Sequence, residues 1–270
     1  MATFSQRIER SVLNTGSRGL RLTLALKKLF GRRGSCLFVT SFPKSGSTYL
    51  VSALARASGT LNYFLGDDPL NAQDLYLPKL VDSYAINVTC QQHTRATGPN
   101  LALMREFAIR PVVLVRDLGD AIVSLRDHLE RESRQTPVIT VADDFFARPQ
   151  AAQFDQLIDV AAPWYLDFYA GWRAAAAANV SVHWLTYEQL MADKEAALAA
   201  ILGYYEIETT PEALAAAVGE ADGAEGTRRN VGGSGRGAEL LSPDQQARLS
   251  DLGRHYDHLD LGPIGLAGPA

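Results

Sequence analysis

The chain has 270 residues, 47% of them hydrophobic, which is enough apolar side chain for one large core and argues against a string of small domains. A formal net charge of −4 gives no ground for nucleic-acid binding. The only two cysteines, Cys36 and Cys90, lie in apolar runs, which excludes a disulfide framework and points to a reducing, cytoplasmic setting.

The charge is unevenly spread. Residues 1–34 carry eight basic side chains against Glu9 alone, a net +7, which leaves −11 for the remainder. Ile8, Val12, Leu13, Leu20, Leu24 and Leu29 are spaced among those basic residues as on an amphipathic helix interrupted near Gly16 and Gly19. Two readings stand: a helix packed on the body with a solvated basic face, or a peripheral contact of residues 1–34 with an anionic membrane. The run from Leu20 to Phe30 is too short to span a bilayer and is broken by Arg21, Lys27 and Lys28.

From Cys36 the pattern becomes regular. Cys36–Thr40 reads as a buried strand that turns through Pro-Lys-Ser-Gly into a helix over 47–58. A strand over 84–90, a helix over 100–108, a strand over 111–115 and a helix from Leu118 follow. This alternation predicts a three-layer α/β fold with a central parallel sheet flanked by helices. The stretch 135–149 is rich in turn signals and reads either as an excursion over the site or as an exposed connection. Beyond it the sequence predicts a long helix over 153–178, a strand over 180–185 and helices over 187–203 and 211–218. A glycine- and arginine-rich stretch over 223–237 precedes a helix starting at Ser242 or Pro243. The expected organisation is a basic segment 1–34, a catalytic domain 35–259 and a disordered tail 260–270.

The turn after the first strand has the makings of an anion site. A glycine between a buried strand and a helix lets main-chain N–H groups converge on a phosphate, and the helix N-terminus adds its dipole. Pro43, Lys44, Ser45, Gly46, Ser47, Thr48 and Tyr49 are the candidates, with Lys44 supplying a full charge and the hydroxyls donating from the first helical turn. A nucleoside-triphosphate loop needs its lysine after the last glycine and a Ser/Thr for magnesium, whereas Lys44 precedes Gly46, so no metal is demanded. A second anion site is spelled by Arg116 at the end of the strand 111–115 and Ser124 in the helix after it, an arginine fork and a hydroxyl suited to a phosphate dianion.

The octet Phe42–Tyr49 and the later Arg-Asp-x-x-Asp-x-x-x-Ser pattern from Arg116 to Ser124 together resemble sulfotransferases of bacterial type that use 3′-phosphoadenosine 5′-phosphosulfate (PAPS). The resemblance runs from Cys36 to about Tyr256 and implies a P-loop-like fold that moves a sulfuryl group from PAPS to a hydroxyl or amine. It gives Lys44 the charge building on the leaving phosphate, Tyr49 the adenine flank usually held by tryptophan, and Arg116 and Ser124 the 3′-phosphate. Tyr187, followed by Glu188, matches a Tyr-Glu near the adenine. Arg228, Arg229 and Gly232 match a late loop over the 3′-phosphate, with Val231 where a lysine is usual and Arg228, Arg229 or Arg236 as the arginine that compensates.

His93, 23 residues before Arg116, takes the place of the general base, a role suited to a side chain that titrates near neutrality. Gln91 stands where the family has lysine. His128 is the rival base, expected as a partly exposed helix residue, and His183, His255 and His258 read as structural. The implied acceptor is a small molecule, a glycan or a lipid. Its pocket is expected from 61–76, from 135–149 and from the helix carrying Trp164, Tyr165, Phe168 and Trp172, with Phe64, Tyr76 and Phe145 as lining candidates, although such an aromatic stripe is more often core. Two other readings remain: a magnesium-dependent nucleotide kinase, and an inactive sulfotransferase-like protein bound at a membrane.

Overall fold

A computed structural model of the chain describes residues 18–224 and 233–266. Five parallel strands form one sheet in the order β2-β3-β1-β4-β5. They are β1 (Cys36–Ser41), β2 (Leu61–Tyr63), β3 (Val88–Gln92), β4 (Pro111–Val115) and β5 (His183–Thr186). β1 sits at the centre because both its faces are apolar, and their side chains separate with a period of two. Leu37 and Val39 of β1 and Val112 and Leu114 of β4 pack with Leu50, Leu54, Leu198 and Ile201 on one face. Phe38, Val113 and Val115 pack with Ile122, Leu125, Phe154, Leu157 and Trp172 on the other.

The first face is covered by α2 (Ser47–Ser58), α9 (Lys194–Tyr204) and α10 (Pro211–Gly223), and the second by α5 (Leu118–Arg131), α6 (Gln150–Val160) and α7 (Ala162–Ala177). The expected three-layer α/β arrangement is therefore present. Trp164, Tyr165, Phe168 and Trp172 on α7 serve this second core; Tyr165, Phe168 and Trp172 are fully buried, so the stripe does not form an acceptor wall.

Several predicted boundaries differ. The helix expected over 153–178 is two, because Pro163 lacks an N–H and occupies the first turn of α7, while Ala161 both ends α6 and starts α7. The helix over 187–203 is likewise broken into α8 (Tyr187–Ala192) and α9, at Asp193, whose extended backbone and side chain cap α9. The strand expected over 84–90 begins only at Val88, since Tyr84–Ile86 close a turn in which the Ile86 N–H donates to the Ser83 carbonyl. The strand over 180–185 is His183–Thr186, and the edge strand β2, three residues long, is too short to print a period in the sequence.

The tail departs from the expectation of disorder as far as residue 266. Leu261, Ile264 and Leu266 are buried in the second core, and the Tyr169 hydroxyl donates to the Asp260 carbonyl at 2.6 Å. The N-terminal segment supplies α1 (Arg18–Phe30), which lays Leu20 and Leu24 on the body beside α3 (Leu77–Ser83) and donates from Lys27 Nζ to the Val81 carbonyl at 2.7 Å.

Candidate functional site

Four of the parallel strands deliver their C-terminal ends to one edge of the sheet, where α/β proteins form ligand crevices at the point of topological reversal. The loop 42–46 leaves β1, His93 follows β3, Arg116 follows β4 and Tyr187 follows β5. β1 pairs with β3 on one side and β4 on the other, so its loop lies between His93 and Arg116. A cleft of about 750 Å³ opens there, lined by Pro43, Lys44, Gly46, Ser47, Thr48, Tyr49, Gln91, His93, Arg116, Ser124 and Tyr187. Residues far apart in sequence that were expected to act together are thus neighbours. Ser45 is the exception. It is fully buried, with its hydroxyl donating to the Phe42 carbonyl at 2.7 Å, so that side chain shapes the turn from below.

The turn is held in an unusual backbone. Lys44 has φ 68° and Gly46 φ 83°, both left-handed, a conformation costly for a side-chain-bearing residue such as Lys44. Two contacts hold it: Arg116 donates to the Lys44 carbonyl at 3.0 Å, and the buried Tyr165 hydroxyl donates to the Pro43 carbonyl at 3.2 Å. Gly46 also lies against Tyr187, whose ring a Cβ would approach to 3.0 Å. Gly46 precedes α2, so this bend aims the first helical N–H groups, with Ser47 and Thr48, at the cleft.

Arg116 is almost fully buried. Its guanidinium lies 4.1 Å from the centre of the Tyr187 ring and donates to the Gly233 carbonyl at 2.7 Å, while its buried Nε has no hydrogen-bond partner. The ion pair of Arg116 with Asp120 is long, 3.5 Å, because Asp120 has another occupation. Its two carboxylate oxygens accept from the N–H groups of Gly235, at 3.0 Å, and Gly237, at 2.7 Å. Gly237 must be glycine, since a Cβ would come within 2.6 Å of the Gly119 backbone. Asp120 therefore ties the late glycine-rich loop to the first turn of α5. Arg228, Arg229, Val231 and Gly232 lie outside the described residues. Arg236 lines the cleft but is paired with Asp127 at 2.9 Å.

His93 is oriented from behind. Its Nδ1 lies 2.8 Å from the Ser41 carbonyl, so that nitrogen carries the proton and Nε2 keeps its lone pair, with the Gln91 amide 3.5 Å away. Burial, with smaller contributions from Lys44 and His128, lowers its pKa from 6.5 to about 4, although the Ser41 contact opposes the shift. The neutral ring is the stable form at neutral pH.

His128 is the partly exposed helix residue expected, and it also reaches the cleft. Its side chain is only 12% exposed, it lies 3.2 Å from Glu132 one helical turn on, and both residues line the cleft. Phe64, Leu70, Leu125 and Thr136 line it too, whereas Tyr76 is absent from the lining and Phe145 is fully buried in the core. The stretch 135–149 reaches the site at one end, as the first reading had it, and is tied to the core rather than being only an exposed connection. Gln135, Thr136 and Pro137 reach the cleft, while Ile139, Val141 and Phe145 anchor the segment in the core. Lys194, paired with Asp222 at 2.5 Å, lies 4.9 Å from the Tyr49 ring centre, a cleft-wall contact that no local pattern announced. Among the described residues no group of three or more His, Cys, Asp or Glu side chains is arranged to hold a metal.

No protein-family model matches the chain, and no curated protein matches it. Solved structures do. Mouse sulfotransferase SULT7A1 complexed with PAP is similar over 89% of this chain and 91% of its own, with a TM-score of 0.66 and 14% identity. Retinol dehydratase in a complex with retinol and PAP is similar over 93% of this chain and 88% of its own, with a TM-score of 0.57 and 15% identity. A retinol dehydratase complex with androsterone and PAP gives a TM-score of 0.54 at 14% identity, again over 93% of this chain and 88% of its own. The chain has the α/β fold of these PAP-bound proteins.

Proposed function

We propose that this protein is a PAPS-dependent sulfotransferase. The observation that carries the reading is that the Lys44 loop after β1, and Arg116 and Ser124 after β4, line one cleft with His93, so that two proposed anion sites share it. A nucleotide with phosphates at both its 5′ and 3′ positions suits two such sites, and the fold neighbours are complexes with PAP, the product left when PAPS has given up its sulfuryl group.

In the proposed reaction the acceptor oxygen or nitrogen attacks sulfur in line. The new bond to sulfur forms as the bond from sulfur to the 5′-phosphate oxygen breaks, and the acceptor proton passes to Nε2 of His93. Lys44 and the N–H groups opening α2 stabilise the charge gathering on the departing phosphate, while Gln91 can donate to the sulfonate. These groups act by position and by preorganised electrostatics. Lys44 before Gly46 disfavours the kinase reading.

The acceptor end is assigned to Phe64, Leu70, Leu125, His128, Glu132 and Thr136, an apolar wall with polar groups among it. This suits a small molecule that presents a hydroxyl or amine from an apolar body, in keeping with the retinol and androsterone named for the fold neighbours. Cys36 and Cys90 are free, which fits a reducing cytoplasm, and among the described residues no helix is long and apolar enough to cross a membrane. The test is transfer of labelled sulfur from PAPS to a panel of phenols, alcohols and amines. Transfer that vanishes in His93→Ala supports the reading, and no transfer to any acceptor by a protein that also fails to bind PAP overturns it.

A further inference from the structure

We propose that α1 docks the protein on an anionic phospholipid surface through Leu22, Leu26 and Leu29. The helix has two apolar faces where packing requires one. Leu20 and Leu24 turn inward onto the core, and Lys27 reaches the main-chain carbonyls of Val81 and Asp82. Lys28 pairs with Glu106, so the helix is fixed to the body without its outer face. On that outer face Leu22, Leu26 and Leu29 are 62%, 47% and 73% exposed, and their spacing of four and three residues puts them on one stripe. Three large aliphatic side chains aligned in water on a short helix are a cost that folding does not require.

Charge selects the occupant. The first 34 residues carry +7 in a chain whose remainder carries −11, and Arg32 and Arg33 are exposed just beyond the helix. An apolar stripe followed in the chain by two exposed arginines suits acyl chains flanked by phosphate headgroups. A second copy of the chain suits it poorly, since a two-fold contact through this stripe would bring two cationic segments together.

The test uses the full chain and vesicles of phosphatidylcholine with and without phosphatidylglycerol, scored by co-sedimentation. The wild type binds the anionic vesicles at least about tenfold better than the neutral ones, and high salt weakens the binding. The triple variant Leu22→Ser, Leu26→Ser, Leu29→Ser and the double variant Arg32→Glu, Arg33→Glu each lose about tenfold or more, while circular dichroism and PAP binding are unchanged. Absence of vesicle binding by the wild type, or undiminished binding by the leucine variant, overturns the proposal. A dimer in light scattering that the leucine variant abolishes overturns it too, by giving the stripe to a second copy.

Discussion

The guanidinium of Arg116 donates to the main-chain carbonyl of Lys44 at 3.0 Å, so a side chain at the end of β4 fixes the left-handed bend of the loop leaving β1. The two proposed phosphate sites are therefore mechanically joined. Arg116→Lys keeps the charge but removes the planar fork, and it should weaken PAP binding by about tenfold or more, because hydrogen bonds to charged groups are worth roughly 1.5–3 kcal/mol each. Titration calorimetry checks this. A variant binding PAP as tightly as the wild type would separate Arg116 from the 3′-phosphate.

Gly46→Ala tests the turn. A left-handed φ of 83° costs an L-residue about 1–2 kcal/mol, and the new Cβ would press on Tyr187 at 3.0 Å. The melting temperature should fall by several degrees, about 2–4 °C per kcal/mol for a chain of this size, with weaker nucleotide binding besides. Thermal denaturation with and without PAP reads both effects.

The pH dependence follows from His93. Its folded pKa, about 4, lies below the ordinary 6.5, so between those values the unfolded chain holds the extra proton. Stability contributed by this residue therefore rises with pH across that window and is lost on acidification through it. For turnover, the acid limb of kcat/KM, which reports the free enzyme, should lie well below pH 6.5. Bound nucleotide brings negative charge that favours the imidazolium, so the limb of kcat should lie higher. Lys44→Ala removes a neighbouring cation and should move the kcat/KM limb upward as well as slowing turnover. Coincident limbs in wild type and Lys44→Ala would contradict the assigned base.

His128→Ala and Glu132→Gln separate the two ends of the cleft. Both should raise the acceptor KM several-fold and leave PAP affinity unchanged, because the pair sits at the proposed acceptor end. Steady-state kinetics with the acceptor varied, beside calorimetry with PAP, distinguishes this from a general loss of structure.

The features legible in the sequence were those written locally. The apolar run of β1, the glycine of the turn and the hydroxyls of the next turn lie close together in sequence, and α2 spans 47–58 as read from them. Arg116 and Ser124 share one helix entry. The spacing that singled out His93 came from a family resemblance, and it falls in the same cleft. What escaped depends on contacts between distant segments. Asp120 stood in the Arg-Asp-x-x-Asp pattern with no role of its own, yet it accepts from amides 115 and 117 residues away. Ser45 read as a phosphate donor because its hydroxyl direction is set by the Phe42 carbonyl behind it. His128 read correctly as a partly exposed helix residue, but its place in the cleft with Glu132 was hidden because Gln135–Pro137, which line the same cleft, have no periodicity of their own.

The measurement that bears most directly on the central claim is calorimetric comparison of PAP with 5′-AMP. Two charge-assisted sites in one cleft predict that PAP binds at least roughly tenfold more tightly, the added 3′-phosphate being received by Arg116 and Ser124. Equal affinities, or tight ATP binding that requires magnesium, would contradict the account.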